Sequence, residues 1–223
     1  MMRGIKLIDI SSGAERHTGE DWDLIMSEKI IGMPRPRTAK VEMDDRDGDL
    51  DMSESMLGRV AYANRSLSFS FTCTARQSAW AELREEISGF VHGKRLMIID
   101  PDTPDHYYIG RCELGEPSYK GSAIMFLKIT VDAYPYRLRL VETVGMENAT
   151  VGTKISLINS MMPVIPTITV SENMTIMFGT FSASLTSGSV YRIPQITLMP
   201  GENILTVTGG SGKITVTYRQ GTI

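Results

Sequence analysis

Residues 65–72 read Arg-Ser-Leu-Ser-Phe-Ser-Phe-Thr, so that Leu67, Phe69 and Phe71 alternate with Ser66, Ser68 and Ser70. A period of two puts the apolar side chains on one face of an extended chain and the hydroxyls on the other, which predicts a half-buried β-strand. Downstream the period changes. Trp80, Leu83, Ile87, Phe90 and Val91 recur at spacings of three and four, while Arg84, Glu85 and Glu86 fall elsewhere on the wheel. That pattern predicts one amphipathic helix, with Thr74 and Gln77 fitting a capping box before it and Gly93 offering a left-handed stop after it. Strand patterns resume at residues 95–99, 107–113 and 123–131. Between the first two, Asp100-Pro101-Asp102-Thr103-Pro104-Asp105 reads as a turn, because its prolines suit neither helix nor ladder. The first part of the chain is thus predicted as strands with one inserted helix.

The residue types shift near Arg137. From Val141 to Ile223 there is no Asp, His, Cys or Trp, and Ser, Thr, Gly and β-branched residues dominate. The shift predicts two domains, 1–137 and 141–223. The second reads as short strands at 154–158, 163–170, 174–178, 189–193, 203–207 and 213–218, a spacing that implies a β-sandwich. Thr-Gly-Gly-Ser-Gly at 208–212 reads as a hairpin connection between the last two strands. Pro200-Gly201 reads as the centre of a type II turn, Pro setting φ and Gly admitting a positive one.

Composition narrows the class of protein without naming a chemistry. The chain has 223 residues, 42% hydrophobic and 22% charged, within the usual range for globular domains. Its longest apolar stretch, 123–127, is far shorter than the ~20 residues of a membrane helix, and no signal-peptide apolar core is evident, so no membrane partner is expected. A net charge of −3 supplies no basic field for phosphate backbones, so no specific nucleic-acid binding is expected.

Candidate catalytic and metal sites fail on spacing. The acidic stretch 44–51 invites a calcium loop, but starting the pattern at Asp45 puts Leu50 where the turn glycine belongs and Met56 where the bidentate Glu belongs. It is expected to be a solvated loop, its charge compensated only by Arg46. His17, His92 and His106 are far apart and lack zinc-ligand spacing; His92 suits a helix C-terminus and His106 a strand start. Cys73 and Cys112 could meet across strands but read better as reduced core thiols. No nucleophile elbow, phosphate loop or dinucleotide fingerprint is present. We therefore expect no catalytic residue, no cofactor and no metal, hence no enzyme. A carbohydrate-binding adhesion module is the alternative, since β-sandwiches often offer aromatic platforms to sugars. Trp22 and Trp80 both precede the sandwich, however, which retains only Phe178, Phe181, Tyr191 and Tyr218, without the His-x-Asn-x-Arg signature of galectins.

Several segments, taken in order, resemble the distal tail protein family of long-tailed, non-contractile bacteriophages and prophages. Val41-Glu42-Met43-Asp44-Asp45-Arg46-Asp47-Gly48-Asp49-Leu50 is similar to the family's V-P-G-R-D-G-x-L segment, with Asp44-Asp45 in place of Pro-Gly. Arg65 to Thr72 resembles its alternating strand, and Tyr107-Tyr108-Ile109-Gly110-Arg111 its Y-Y-x-G-R stretch. Val131-Asp132-Ala133-Tyr134-Pro135-Tyr136 resembles the proline-marked end of its first domain. Pro166-Thr167-Ile168-Thr169-Val170, the Leu198-Met199-Pro200-Gly201-Glu202-Asn203 turn and Tyr218-Arg219 resemble its second domain. The resemblance implies a mainly β chain: an N-terminal β-sandwich or split-barrel-like domain with one inserted helix, and a C-terminal galectin-like β-sandwich projecting outward. It further implies a homo-hexameric ring joining the tail tube protein to fibre or receptor-binding proteins. DNA would pass through the ring, and the protein would reside in the virion tail after assembly in the host bacterial cytoplasm. Long insertions that carry sugar-binding modules in some relatives are absent here. The acidic stretch would face either the channel or the outer rim.

Overall fold

The computed structural model describes residues 4–45, 47–121 and 123–223. The chain divides into two compact units, Met1–Arg137 and Leu138–Ile223.

The first unit contains β1 (Lys6–Asp9), β2 (Glu15–His17), β3 (Leu24–Ile31), β4 (Pro36–Arg37), β5 (Lys40–Val41), β6 (Leu50–Asp51), β7 (Ala61–Tyr62), β8 (Arg65–Cys73), α1 (Trp80–Val91), β9 (Arg95–Ile99), β10 (His106–Leu114), β11 (Ser118–Lys120) and β12 (Ile124–Ala133). An antiparallel sheet runs β2-β1-β9-β10-β12-β8-β3, with β11 folded back on β12. The alternation in β8 sets its two faces. Leu67, Phe69 and Phe71 are fully buried, while Ser66, Ser68 and Ser70 lie on the opposite, more open face. The buried face is covered by α1, whose Trp80, Ile87 and Val91 join Leu24, Leu96, Ile98 and Ile129 in one core. Burying each such side chain contributes on the order of 1.5–3 kcal/mol, so the apolar stripe rather than helix propensity holds α1 in place.

The helix starts differently from expectation. A 3₁₀ turn, Gln77–Ala79, precedes α1, and no side chain caps either start. Thr74 Oγ1 instead donates to the carbonyl of Asp23, 2.8 Å away, tying the end of β8 to the chain entering β3. Tertiary pairing has taken the hydroxyl that a capping box would use. At the other end Gly93 takes the expected positive φ of 73°. His92, the C-cap, accepts a hydrogen bond at Nδ1 from the Leu114 amide, 3.2 Å away. His92 thereby links the end of α1 to β10.

The second unit follows β13 (Arg137–Arg139), which carries the chain across the boundary. It comprises β14 (Thr143–Ala149), β15 (Lys154–Asn159), β16 (Thr167–Val170), β17 (Met174–Phe178), β18 (Phe181–Leu185), β19 (Val190–Tyr191), β20 (Gly201–Gly209), β21 (Gly212–Tyr218) and β22 (Gly221–Thr222). Two four-stranded sheets, β14-β21-β16-β19 and β15-β20-β17-β18, bury one shared core that includes Ile168, Ile176, Leu205, Val207, Ile214 and Val216. This is a β-sandwich, and the chain as a whole is mainly β with a single α-helix among the described residues, as the sequence predicts.

The glycine-rich link at 208–212 is not a hairpin. β20 and β21 belong to different sheets, so the link is an arch that carries the chain across the sandwich. Gly210 has φ +80°, and a Cβ on it would lie 2.3 Å from the carbonyl oxygen of Asn173. The close approach of backbone to backbone inside the arch requires this glycine, as a tight hairpin would. The strand expected at 163–170 is shortened to Thr167–Val170, with Val164 making only an isolated bridge to Leu198. The one expected at 189–193 shrinks to Val190–Tyr191.

Candidate functional site

The feature of the first unit that a compact core does not explain is an arm, residues 32–64, between β3 and β8. It is held by two small ladders, Pro36↔Tyr62 with Arg37↔Ala61, and Lys40↔Asp51 with Val41↔Leu50. Every described residue from 35 to 49 is exposed. Apolar side chains are exposed along it too: Val41, Met43, Met52 and Leu57 are roughly half exposed and Met56 almost completely. The acidic stretch 44–51 forms the far end of this arm. Its aspartates face water as expected; Arg46 lies outside the described residues. Asp51 is the exception to full solvation, since its carboxylate accepts from the amide and the hydroxyl of Ser53, which hold it below the usual carboxylate range.

The arm is anchored where it leaves the sheet. The Gly32 amide donates to the Ser66 carbonyl at 2.9 Å. Arg65, only 3% exposed, lies with its guanidinium 5.2 Å from the centre of the Tyr108 ring. Its Nε donates to the Gly32 carbonyl at 2.8 Å and its Nη1 to the Pro135 carbonyl at 3.2 Å. Burial lowers the pKa of this guanidinium, and carbonyl dipoles and an aromatic face stand where a carboxylate would usually be. Asn64, at the returning end of the arm, donates from Nδ2 to Asp132 Oδ2 at 3.0 Å.

Next to that anchor, the open face of the sheet presents two cations side by side. Arg95 and Arg111 are direct cross-strand partners on β9 and β10, both exposed. Arg111 Nη1 donates to the Gly93 carbonyl at 2.6 Å. Asn64, Ile109, Asp132 and Tyr134 complete a shallow pocket around the pair. Like charges directly opposed across a ladder are unfavourable, by a few tenths of a kcal/mol up to about one.

Elsewhere charge is consumed by the fold. Lys29 Nζ lies 2.5 Å from Asp100 Oδ2 and 2.5 Å from Asp102 Oδ2, fastening the 100–105 turn to β3. Burial pulls its pKa down, but the hydrogen bonds to the two carboxylates outweigh that and leave it raised. Asp9, 6% exposed, accepts from the Ser11 hydroxyl at 2.7 Å and the Ser11 amide at 2.9 Å, which bring its pKa down to about 2.

The sequence candidates for chemistry are dispersed. His17 Nδ1 accepts from the Glu20 amide at 3.1 Å, and His106, at the start of β10, pairs with Asp105 at 2.8 Å. No group of metal-ligating side chains occurs among the described residues. Cys73 and Cys112 are buried and unpaired; Cys73 faces Met125 and Leu24 in register, and Cys112 faces Val131. Desolvation raises both thiols, Cys112 to about 12. Trp22 and Trp80 are 1% and 6% exposed, with their indole N–H groups bonded to Glu86 Oε1 and the Ala75 carbonyl. In the sandwich Tyr218 is buried, Phe178 and Phe181 are partly buried against the core, and the Tyr191 hydroxyl accepts from the Thr186 amide. Both indoles and the Tyr218 ring are thus taken up by the two cores. Sequence reasoning missed the arm's length and the opposed arginine pair. The signal for the arm was present in the exposed Met and Val residues flanking the acidic stretch; that for the pair depends on strand register, which is a long-range property.

No protein-family model matches this chain, and no curated protein does. Among solved structures, a similar fold occurs in the crystal structure of the SPP1 Dit (gp 19.1) protein, described as a paradigm of the hub adsorption apparatus in phages infecting Gram-positive bacteria. The two superpose with a TM-score of 0.68 at 14% sequence identity, over 96% of this chain and 98% of that one. Both units of this chain are therefore included in the likeness, and its fold is that of a phage distal tail protein.

Proposed function

We propose that this chain is the structural hub at the distal end of a long, non-contractile phage tail. In this reading residues 1–137 assemble into a hexameric ring that joins the tail tube to the adsorption apparatus. The C-terminal sandwich projects outward as a galectin-like platform for fibre or receptor-binding proteins, and the chain acts by assembly rather than catalysis. The observation that carries the reading is the extent of the fold likeness to a hub protein, 96% of the chain spanning both units. The motif order in the sequence supports it independently. The dispersal of histidines and thiols into separate structural surroundings favours assembly over chemistry.

Electron micrographs of the purified full-length chain test the reading. Class averages should show rings with six-fold symmetry around a central opening. Particles of monomer size at every concentration, or stacks without a closed ring, would overturn the assembly described here.

A further inference from the structure

The path β2-β1-β9-β10-β12-β8-β3 and the two sheets of the sandwich each end in two edge strands, one side of whose ladder is open among the described residues. Most of these edges are blunted. In the first unit β2 carries Glu15 and Arg16, and β3 carries Glu28 and Lys29 beside its bulge. In the sandwich β14 carries Glu147, β15 carries Lys154, and β19 is only two residues long. Charge, bulges and brevity at an edge discourage further strands from adding to it. β18 is the exception among these edges. It is the outer strand of β15-β20-β17-β18, reads Phe-Ser-Ala-Ser-Leu, and lies in a stretch, residues 173–191, that holds neither a charged side chain nor a proline. Its register with β17 is unbroken from Phe181 to Leu185.

The hairpin fixes which groups of β18 face outward. Gly179, with φ +59°, and Thr180 form a two-residue turn, which makes Phe178 and Phe181 a hydrogen-bonded pair. Alternation along an antiparallel ladder then directs the N–H and C=O groups of Ser182 and Ser184 away from β17. Their side chains are exposed on the outer face of the sheet, whereas Phe181 and Ala183 lie on the other face, partly buried against the rim of the core. A row of donors and acceptors at this spacing is matched by another extended chain. We infer that β18 receives an extended segment of a tail protein other than this chain. That segment is uncharged, with apolar residues covering Phe181 and Ala183 and small polar residues beside Ser182 and Ser184. The inference rests on the hub reading above and names the kind of partner that the sandwich takes. A second copy fits less well, because β18 pairs with its own counterpart only across a two-fold axis, whereas neighbours around a closed ring bring different surfaces together.

The test blunts this edge in the full-length chain. Ser184→Pro removes an outward N–H and leaves the ladder to β17 in place, since proline is tolerated on the open side of an edge strand. Ser182→Lys with Ser184→Lys sets two like charges on the edge and keeps every backbone group. Unchanged melting curves verify that each variant folds. Phage carrying either variant should build tails with the chain at the tip, but electron micrographs should show tips without fibre or receptor-binding proteins at least tenfold more often than in the wild type. Those proteins retained at wild-type frequency in both variants would overturn the strand addition while leaving the hub intact. Wild-type tails without the chain at their tip would overturn the hub reading and the inference with it. A wild-type chain that dimerises in sedimentation, with the dimer lost in both variants, would assign the edge to a second copy and overturn the inference.

Discussion

Replacing Trp80 by Ala tests whether this indole is structural or a binding surface. Trp80 is 6% exposed, donates from Nε1 to the Ala75 carbonyl at 3.0 Å, and stacks on Tyr119 with ring centres 5.6 Å apart and planes 28° from parallel. A tryptophan buries roughly 200 Å², worth about 5 kcal/mol at ~25 cal/mol per Å², with a further ~1 kcal/mol from the hydrogen bond. Tyr119 is half exposed and can lean into the space, which recovers part of that loss. A net cost of about 4 kcal/mol follows, within the ~3–5 kcal/mol usual for Trp→Ala in a core. Both tryptophans belong to the first unit, so the fluorescence of the remaining Trp22 during urea denaturation reports that unit alone. With a slope of ~2 kcal/mol per M, its midpoint should fall by ~2 M. Trp80→Phe, which keeps the ring and loses the donor, should cost only about 1–2 kcal/mol. A midpoint shift below ~0.5 M for the alanine variant would show that the indole is not part of the core, and a ligand-binding role would return.

Two further substitutions probe other parts of the fold. Gly201 has φ +98° at the turn pinned by Asn203, whose Oδ1 accepts from the Met199 amide at 2.9 Å. Gly201→Val should destabilise the second unit by about 1–3 kcal/mol; circular dichroism should show the loss with tryptophan fluorescence unmoved, and an unchanged melt would exclude strain at the turn. Asp9 has a folded pKa of about 2 against an unfolded value near 3.8. Its contribution is therefore fully present above pH ~4 and disappears as pH falls through ~2. Asp9→Asn should narrow its stability gap to the wild type across that window, and a gap independent of pH would refute the linkage.

Local pattern carried the sequence reading where neighbours in sequence decide the structure. The alternation of Ser66, Leu67, Ser68, Phe69, Ser70 and Phe71 identified β8 and both of its faces, and the spacing of Trp80, Ile87 and Val91 identified the buried stripe of α1. Reading failed where a distant partner decides. Thr74 bonds to Asp23, fifty-one residues away, instead of capping the helix. No regular alternation marks β3, because the bulge between Met26 and Glu28 shifts its register partway along. Gly209 to Gly212 carries the same turn chemistry for an arch as for a hairpin, and only the sheet membership of β20 and β21 distinguishes them. The opposed arginines belong to the same class: the register that sets Arg95 against Arg111 is fixed by sheet pairing.

The central claim is that this protein sits at the adsorption end of a phage tail. Gold-labelled antibody against the chain, applied to phage tails from the source that encodes it and viewed by electron microscopy, addresses that claim directly. The account predicts label confined to the distal tip, at the junction of tube and adsorption apparatus. Label along the tube or at the head-proximal end, or tails that lack the chain altogether, would contradict it.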